Sequence, residues 1–145
     1  MYLVRQILES KGYQVWWTRP DATVFDALRI MSEKDVGALV VLENDGKLAG
    51  IFSERDYARK VILFEKNSKD TPVGEVMTAS VFTVEPGEPI EKCMALMTAR
   101  HIRHLPVVED NRVIGIISIG DVVKAVISQK EYVIEQLENY ITGER

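Results

Sequence analysis

The sequence predicts an α/β (α+β) fold. Two pseudo-symmetric β-α-β-β-α repeats are packed sheet to sheet in one module, and a long C-terminal helix follows. Three observations predict it. The chain from Thr18 repeats its pattern from Thr83 onward. Each copy joins one apolar stripe of helical period to two short β-prone runs separated by a turn. Each copy is also only about 50 residues long, too small to cover both faces of its own sheet. Two copies stacked about a pseudo-two-fold axis remove that exposure, so the repeat argues for one interlocked unit rather than two beads.

The elements follow in order. Residues 1–15 read as an N-terminal helical arm, 16–66 as the first repeat, 67–76 as a polar linker, 77–128 as the second repeat and 129–145 as a C-terminal helical extension. Thr18 and Thr83 open the first strand of each copy. Pro20 then falls on Pro86, and Val24, Ala27, Leu28 and Met31 fall on Ile90, Cys93, Met94 and Met97 at the same offset. These positions form an i, i+3, i+4, i+7 stripe, the core face of a helix. Leu39, Val41 and Leu42 fall on Leu105, Val107 and Val108 as a strand. One residue is lost at the hairpin tip, where a length change is best tolerated. Asp45-Gly46 suits a type I′ turn, and Asp110-Asn111 does so less strongly. Gly50, Ile51, Ser53 and Asp56 then fall on Gly115, Ile116, Ser118 and Asp121. From Val122 a helix runs to about Ile141, with Val126, Val133, Leu137 and Tyr140 along one seam. That seam either lies along its own domain or makes a dimer contact.

Composition narrows the function. Of 145 residues, 46% are hydrophobic and 28% charged, an ordinary globular balance. The net charge of −4 disfavours a general nucleic-acid binder. An anionic ligand would need a local cationic pocket. Cys93 is the single cysteine, which excludes an intrachain disulfide and a cysteine-based zinc site. With no signal-peptide pattern and no apolar run near the roughly 18 residues of a membrane helix, a cytoplasmic protein without membrane contact is expected. No P-loop, dinucleotide-binding glycine motif or nucleophile elbow is present, so no enzyme is expected. His101 and His104 stand where a helix end passes into a strand, a poor geometry for a metal pair. Cys93, Met94 and Met97 read as core.

The doubled endings GIFSERD and GIISIGD, with IRHLPVV in the second copy, resemble tandem CBS (cystathionine-beta-synthase-type) repeats, the stand-alone Bateman module. The resemblance covers about Thr18 to Lys124. It implies adenine-nucleotide binding in clefts between the repeats, with AMP favoured and NAD or ATP as alternatives, and no required cofactor; the competing readings are a structural scaffold with vestigial clefts and a nucleotide hydrolase. It also implies a homodimer and a client protein that receives the signal.

Residue by residue, Ser53-x-x-Asp56 and Ser118-x-x-Asp121 are capping boxes on their own terms. The resemblance adds a role for each Asp as acceptor of the ribose hydroxyls and for each Ser near ribose and phosphate. It points Arg103 at phosphate and sends Arg55 to the other repeat's site, a plain surface arginine being the competing reading for Arg55. His104 is either a ligand-strand side chain or merely half-buried. The Asp121 cleft would then gather Ser118, Arg103 and Arg55. The Asp56 cleft would receive Gly37 and Gly120 and only share Arg103. Thr18 and Thr83 would lie near the adenine, or serve only as edge-strand threonines. For Arg59 and Lys60 a solvated helix face is the competing reading.

Overall fold

The computed structural model describes residues 2–142. The first half contains α1 (Val4–Lys11), β1 (Trp17–Thr18), α2 (Val24–Lys34), β2 (Ala38–Leu42), β3 (Leu48–Ser53) and α3 (Glu54–Asp56), which widens into a π-helical turn, Tyr57–Ile62. The second contains α4 (Val73–Val76), α5 (Ile90–Arg100), β4 (His104–Glu109), β5 (Arg112–Ser118) and α6 (Ile119–Thr142). β1 runs parallel to β2, and β2 antiparallel to β3. β4 and β5 pair antiparallel, and a single parallel bridge from Val84 to Val107 stands where β1 stands in the first half. Thr18 pairs with Val41, so its structural counterpart is Val84, and Thr83 falls one residue before the bridge.

The helical stripes behave as their spacing requires. Val24, Ala27 and Met31 are buried on α2, and Ile90, Cys93 and Met97 on α5. Both helices end on a left-handed residue, Asp35 at φ 54° and His101 at φ 54°. At each end the cap residue's backbone N–H donates a hydrogen bond to a methionine carbonyl of the same helix, Met31 or Met97. Burial raises the Cys93 thiol to about 11. At pH 8 only about 0.1% of it would be thiolate. Native protein is therefore expected to resist Ellman's reagent over minutes, and unfolded protein to react at once. Rapid native labelling would contradict the packing of α5.

Of the two hairpins, the second takes the expected turn and the first does not. Asp110 and Asn111 both have positive φ, 52° and 64°, the two-residue type I′ arrangement. In the first copy only Gly46 is positive, at 83°, and its amide donates to the Glu43 carbonyl at 3.0 Å. The extra residue there makes a type I turn closed by a left-handed glycine, which Asp45-Gly46 alone does not.

The cores are exchanged between the halves. Val4, Ile7 and Leu8 of α1 are buried with Val84, Ile90, Leu105, Ile117 and Val122 of the second half. Val73 and Val76 of α4 are buried with Val24, Leu39, Phe52 and Val61 of the first. The docking is the same in both cases. Val4 N and Arg5 N donate to the carbonyls of Glu88 and Pro86, as Val73 N and Gly74 N donate to those of Ala22 and Pro20. The segment 67–76 thus ends inside the first core. Ala38, Val40 and Ile51 are buried although neither helical cluster includes them. Gly37, leading into β2, lies against the His104 ring at the start of β4. The two sheets therefore cover one another.

α6 has 24 residues, about 36 Å of helix. It buries only Val122 and Ala125; Val133, Leu137 and Tyr140 are exposed. Its far half does not lie along the body. No helix among the described residues is long and apolar enough to cross a membrane.

Candidate functional site

A cavity of about 630 Å³ opens between the halves. The end of β3, α3 and the π turn form one wall. The end of α5 and the start of β4 form the other. Gly37 belongs to its lining, where a methyl would stand 3.5 Å from His104 Nε2 and 3.3 Å from Glu54 Oε1. Volume and mixed lining suit a small organic ligand.

Asp56 sits on one wall, 6% exposed. Its Oδ2 accepts from Ser53 N at 2.9 Å and Ser53 Oγ at 3.0 Å, while Asp56 N donates back to Ser53 Oγ at 3.2 Å. The capping box is therefore real. The other oxygen, Oδ1, accepts from Thr78 Oγ1 at 3.0 Å and lies 3.1 Å from Lys60 Nζ. The carboxylate is buried, charge-compensated and held in one orientation beside the cavity. Opposite, Arg55 Nη1 donates to the His101 carbonyl at 2.7 Å, bridging α3 to the left-handed end of α5. Burial first, then the charges of Lys11 and Arg103, lower the pKa of His104, and Asp121 only partly offsets them. His104 is thus held neutral beside the cavity at neutral pH.

The cavity gathers five of the nine residues singled out from sequence: Ser53, Arg55, Asp56, Arg103 and His104. Thr18 is buried in β1, Thr83 is exposed in the loop before Val84, and neither lines it. Ser118 and Asp121 are also outside it. This corrects the expected grouping for Arg55, which lies with Asp56 in the cavity rather than with Asp121; Arg103, expected to serve both clefts, also lines the Asp56 cavity. Arg55 adjoins Asp56 on one helical turn, and the mutual cover of the sheets brings Arg103 across to that turn.

Asp121 has a different neighbour. Its Oδ2 accepts from Ser118 N at 2.8 Å and from Lys11 Nζ at 2.7 Å, and the same ammonium donates to the Ile116 carbonyl at 2.9 Å. The equivalent place in the first half is a backbone bridge, Ile51 to Thr78. α1 continues as helix to Lys11, so a side chain reaches where a strand would. Burial works to raise the Asp121 pKa, but the Lys11 and Ser118 hydrogen bonds and the Lys11 charge outweigh it. The carboxyl therefore stays below its ordinary range. Its contribution to stability is present at neutral pH and lost only as pH falls through that lowered value.

Sequence reasoning missed Thr78, Arg100 and Lys11. Thr78 is placed by the docking of α4, and Lys11 by that of α1. Neither contact has a local signature.

A family model described as the CBS domain matches residues 5–63 and 73–128. The chain is 42% identical over 97% of its length to the CBS domain-containing protein CBSX3, mitochondrial, of Arabidopsis thaliana, covering 72% of that protein. It is similar to the solved structure of a protein with CBS domains from Burkholderia ambifaria MC40-6, with TM-score 0.84, 50% identity, and coverage of 87% of this chain and 94% of that one. It is also similar to the CBS domain pair of protein MJ0100, solved in complex with 5′-methylthioadenosine and S-adenosyl-L-methionine, with TM-score 0.77, 26% identity, and coverage of 89% and 98%.

Proposed function

The chain belongs to the CBS-domain family, and on that premise we propose that it is a regulatory module that binds an adenine nucleotide in the Asp56 cavity. One observation carries the reading: a compensated carboxylate of one repeat and the Arg103–His104 strand of the other line a single cavity. Ribose hydroxyls would replace Thr78 or Lys60 as donors to Asp56, and phosphate would meet Arg55 and Arg103. A ligand touching both walls binds one arrangement of the repeats better than others, and so shifts their relative population. The adenosyl ligands of the MJ0100 domain pair support an adenosine-type occupant. The polar lining is a set for holding ribose and phosphate, and we read the module as a sensor rather than a catalyst.

The exposed apolar side chains of α6, including Ile127, Val133 and Leu137, support a homodimer, with a client protein reading its shape. The lone buried Cys93 suits the reducing cytoplasm.

Calorimetry across AMP, ADP, ATP, NAD and S-adenosylmethionine tests the proposal. Micromolar binding of at least one is expected, with one site per chain, because Lys11 already holds the second carboxylate. Flat titrations throughout would refute it.

A further inference from the structure

The cavity carries more positive charge than one phosphate needs. Arg55, Arg59, Lys60, Arg100 and Arg103 line it, against the carboxylates of Glu54 and Asp56. The whole chain has a net charge of −4, so this local surplus runs against the average. The partners already present leave most of it free. Lys60 compensates Asp56 at 3.1 Å. Arg55 donates to a neutral carbonyl, and the Arg100 guanidinium stands 5.0 Å from the centroid of Phe82. Among the described residues, Arg55, Arg59, Arg100 and Arg103 have no carboxylate within ion-pair distance.

Backbone geometry adds an independent sign. The helix after Asp56 is wound as a π turn, Tyr57–Ile62, whereas its counterpart after Asp121 is an ordinary α-helix. A π turn is costly and recurs at binding sites. Two consecutive residues of this turn, Arg59 and Lys60, both line the cavity. The cations thus extend from the π turn to the end of α5, a run rather than a point.

We propose that this cavity selects an adenine nucleotide with a chain of two or three phosphates over the monophosphate, with Arg59 and Arg100 meeting the phosphates beyond the first. This rests on the reading of the cavity as a nucleotide site. Asp56 holds the ribose end, Arg55 and Arg103 take the first phosphate, and the outer cations take the rest.

Calorimetry with adenosine, AMP, ADP and ATP at fixed ionic strength tests it, using the wild type and Arg59→Gln and Arg100→Gln. Both side chains are exposed, so folding should be unaffected. ADP or ATP is expected to bind at least about tenfold tighter than AMP, the effect of one charge-assisted contact. Each variant should lose most of that advantage while leaving AMP within about threefold of wild type. Equal or tighter binding of AMP by the wild type overturns the selectivity and leaves the nucleotide site standing. A preference that survives both substitutions overturns the role given to these arginines. No binding of any of the four removes the site and the selectivity together.

Discussion

Asp56→Asn is expected to weaken nucleotide binding by roughly 10- to 150-fold, the worth of a charge-assisted hydrogen bond, while Asp121→Asn leaves it within about threefold. Asparagine keeps the shape of the side chain and one oxygen for Ser53 N, so the cap is weakened rather than removed. What it loses is the charge that compensates Lys60 and would draw the ribose hydroxyls. Asp121→Asn instead loosens the Lys11 contact, outside the cavity. Thermal unfolding of both variants must accompany calorimetry, so that a change in affinity is not a loss of fold. Retained binding in Asp56→Asn with abolished binding in folded Asp121→Asn would reverse the assignment and restore the grouping expected from sequence.

The second large effect concerns stability. Leu8 is fully buried, and a methyl added at Gly115 would stand 2.6 Å from Leu8 Cδ2. Leu8→Ala should cost about 2–5 kcal/mol through lost transfer energy and the cavity left behind. Gly115→Ala should cost about 1–3 kcal/mol through overpacking. Together they should cost at least about 1 kcal/mol less than the two singles added, because the new methyl enters the space that leucine leaves. Gly50 is the counterpart, but there the obstacle is the Thr78 carbonyl oxygen at 2.6 Å, which no side-chain truncation relieves. Urea unfolding of the four members of the Leu8–Gly115 cycle checks this. Strict additivity would show that α1 does not seat on Gly115.

The repeat, its helical stripes and the sheet core were legible because each rests on periodicity within a few residues. Val24 to Met31 and Ile90 to Met97 show their buried faces in their spacing alone. What covers those faces was not legible. Val4, Ile7 and Leu8 announce an amphipathic helix, but nothing in that stripe says that the second half buries it. The same blind spot misassigned the cleft. Arg55, Arg103, His104, Ser53 and Asp56 all stand out in the sequence, yet the family's repeat pattern sends Arg55 to Asp121 and lets Arg103 serve both clefts. Which carboxylate they face depends on how the sheets meet, a contact between residues far apart in the chain. Lys11 shows the limit most clearly: a surface-type residue by composition, it holds a carboxylate across a sequence separation of 110.

Exchange of the opening helices sets a timetable for synthesis. Lys11 and Ile116 are 105 residues apart, so α1 leaves the ribosome well before the strand it will pack on. At about 5–20 residues per second, its apolar face waits about 5–20 s for a partner. The first core is delayed less, since α4 follows directly behind it. The two cores therefore close in the order of synthesis, the first on α4 and the second only when β5 and α6 arrive. α1 alone is out of step, made before the first core yet buried with the second.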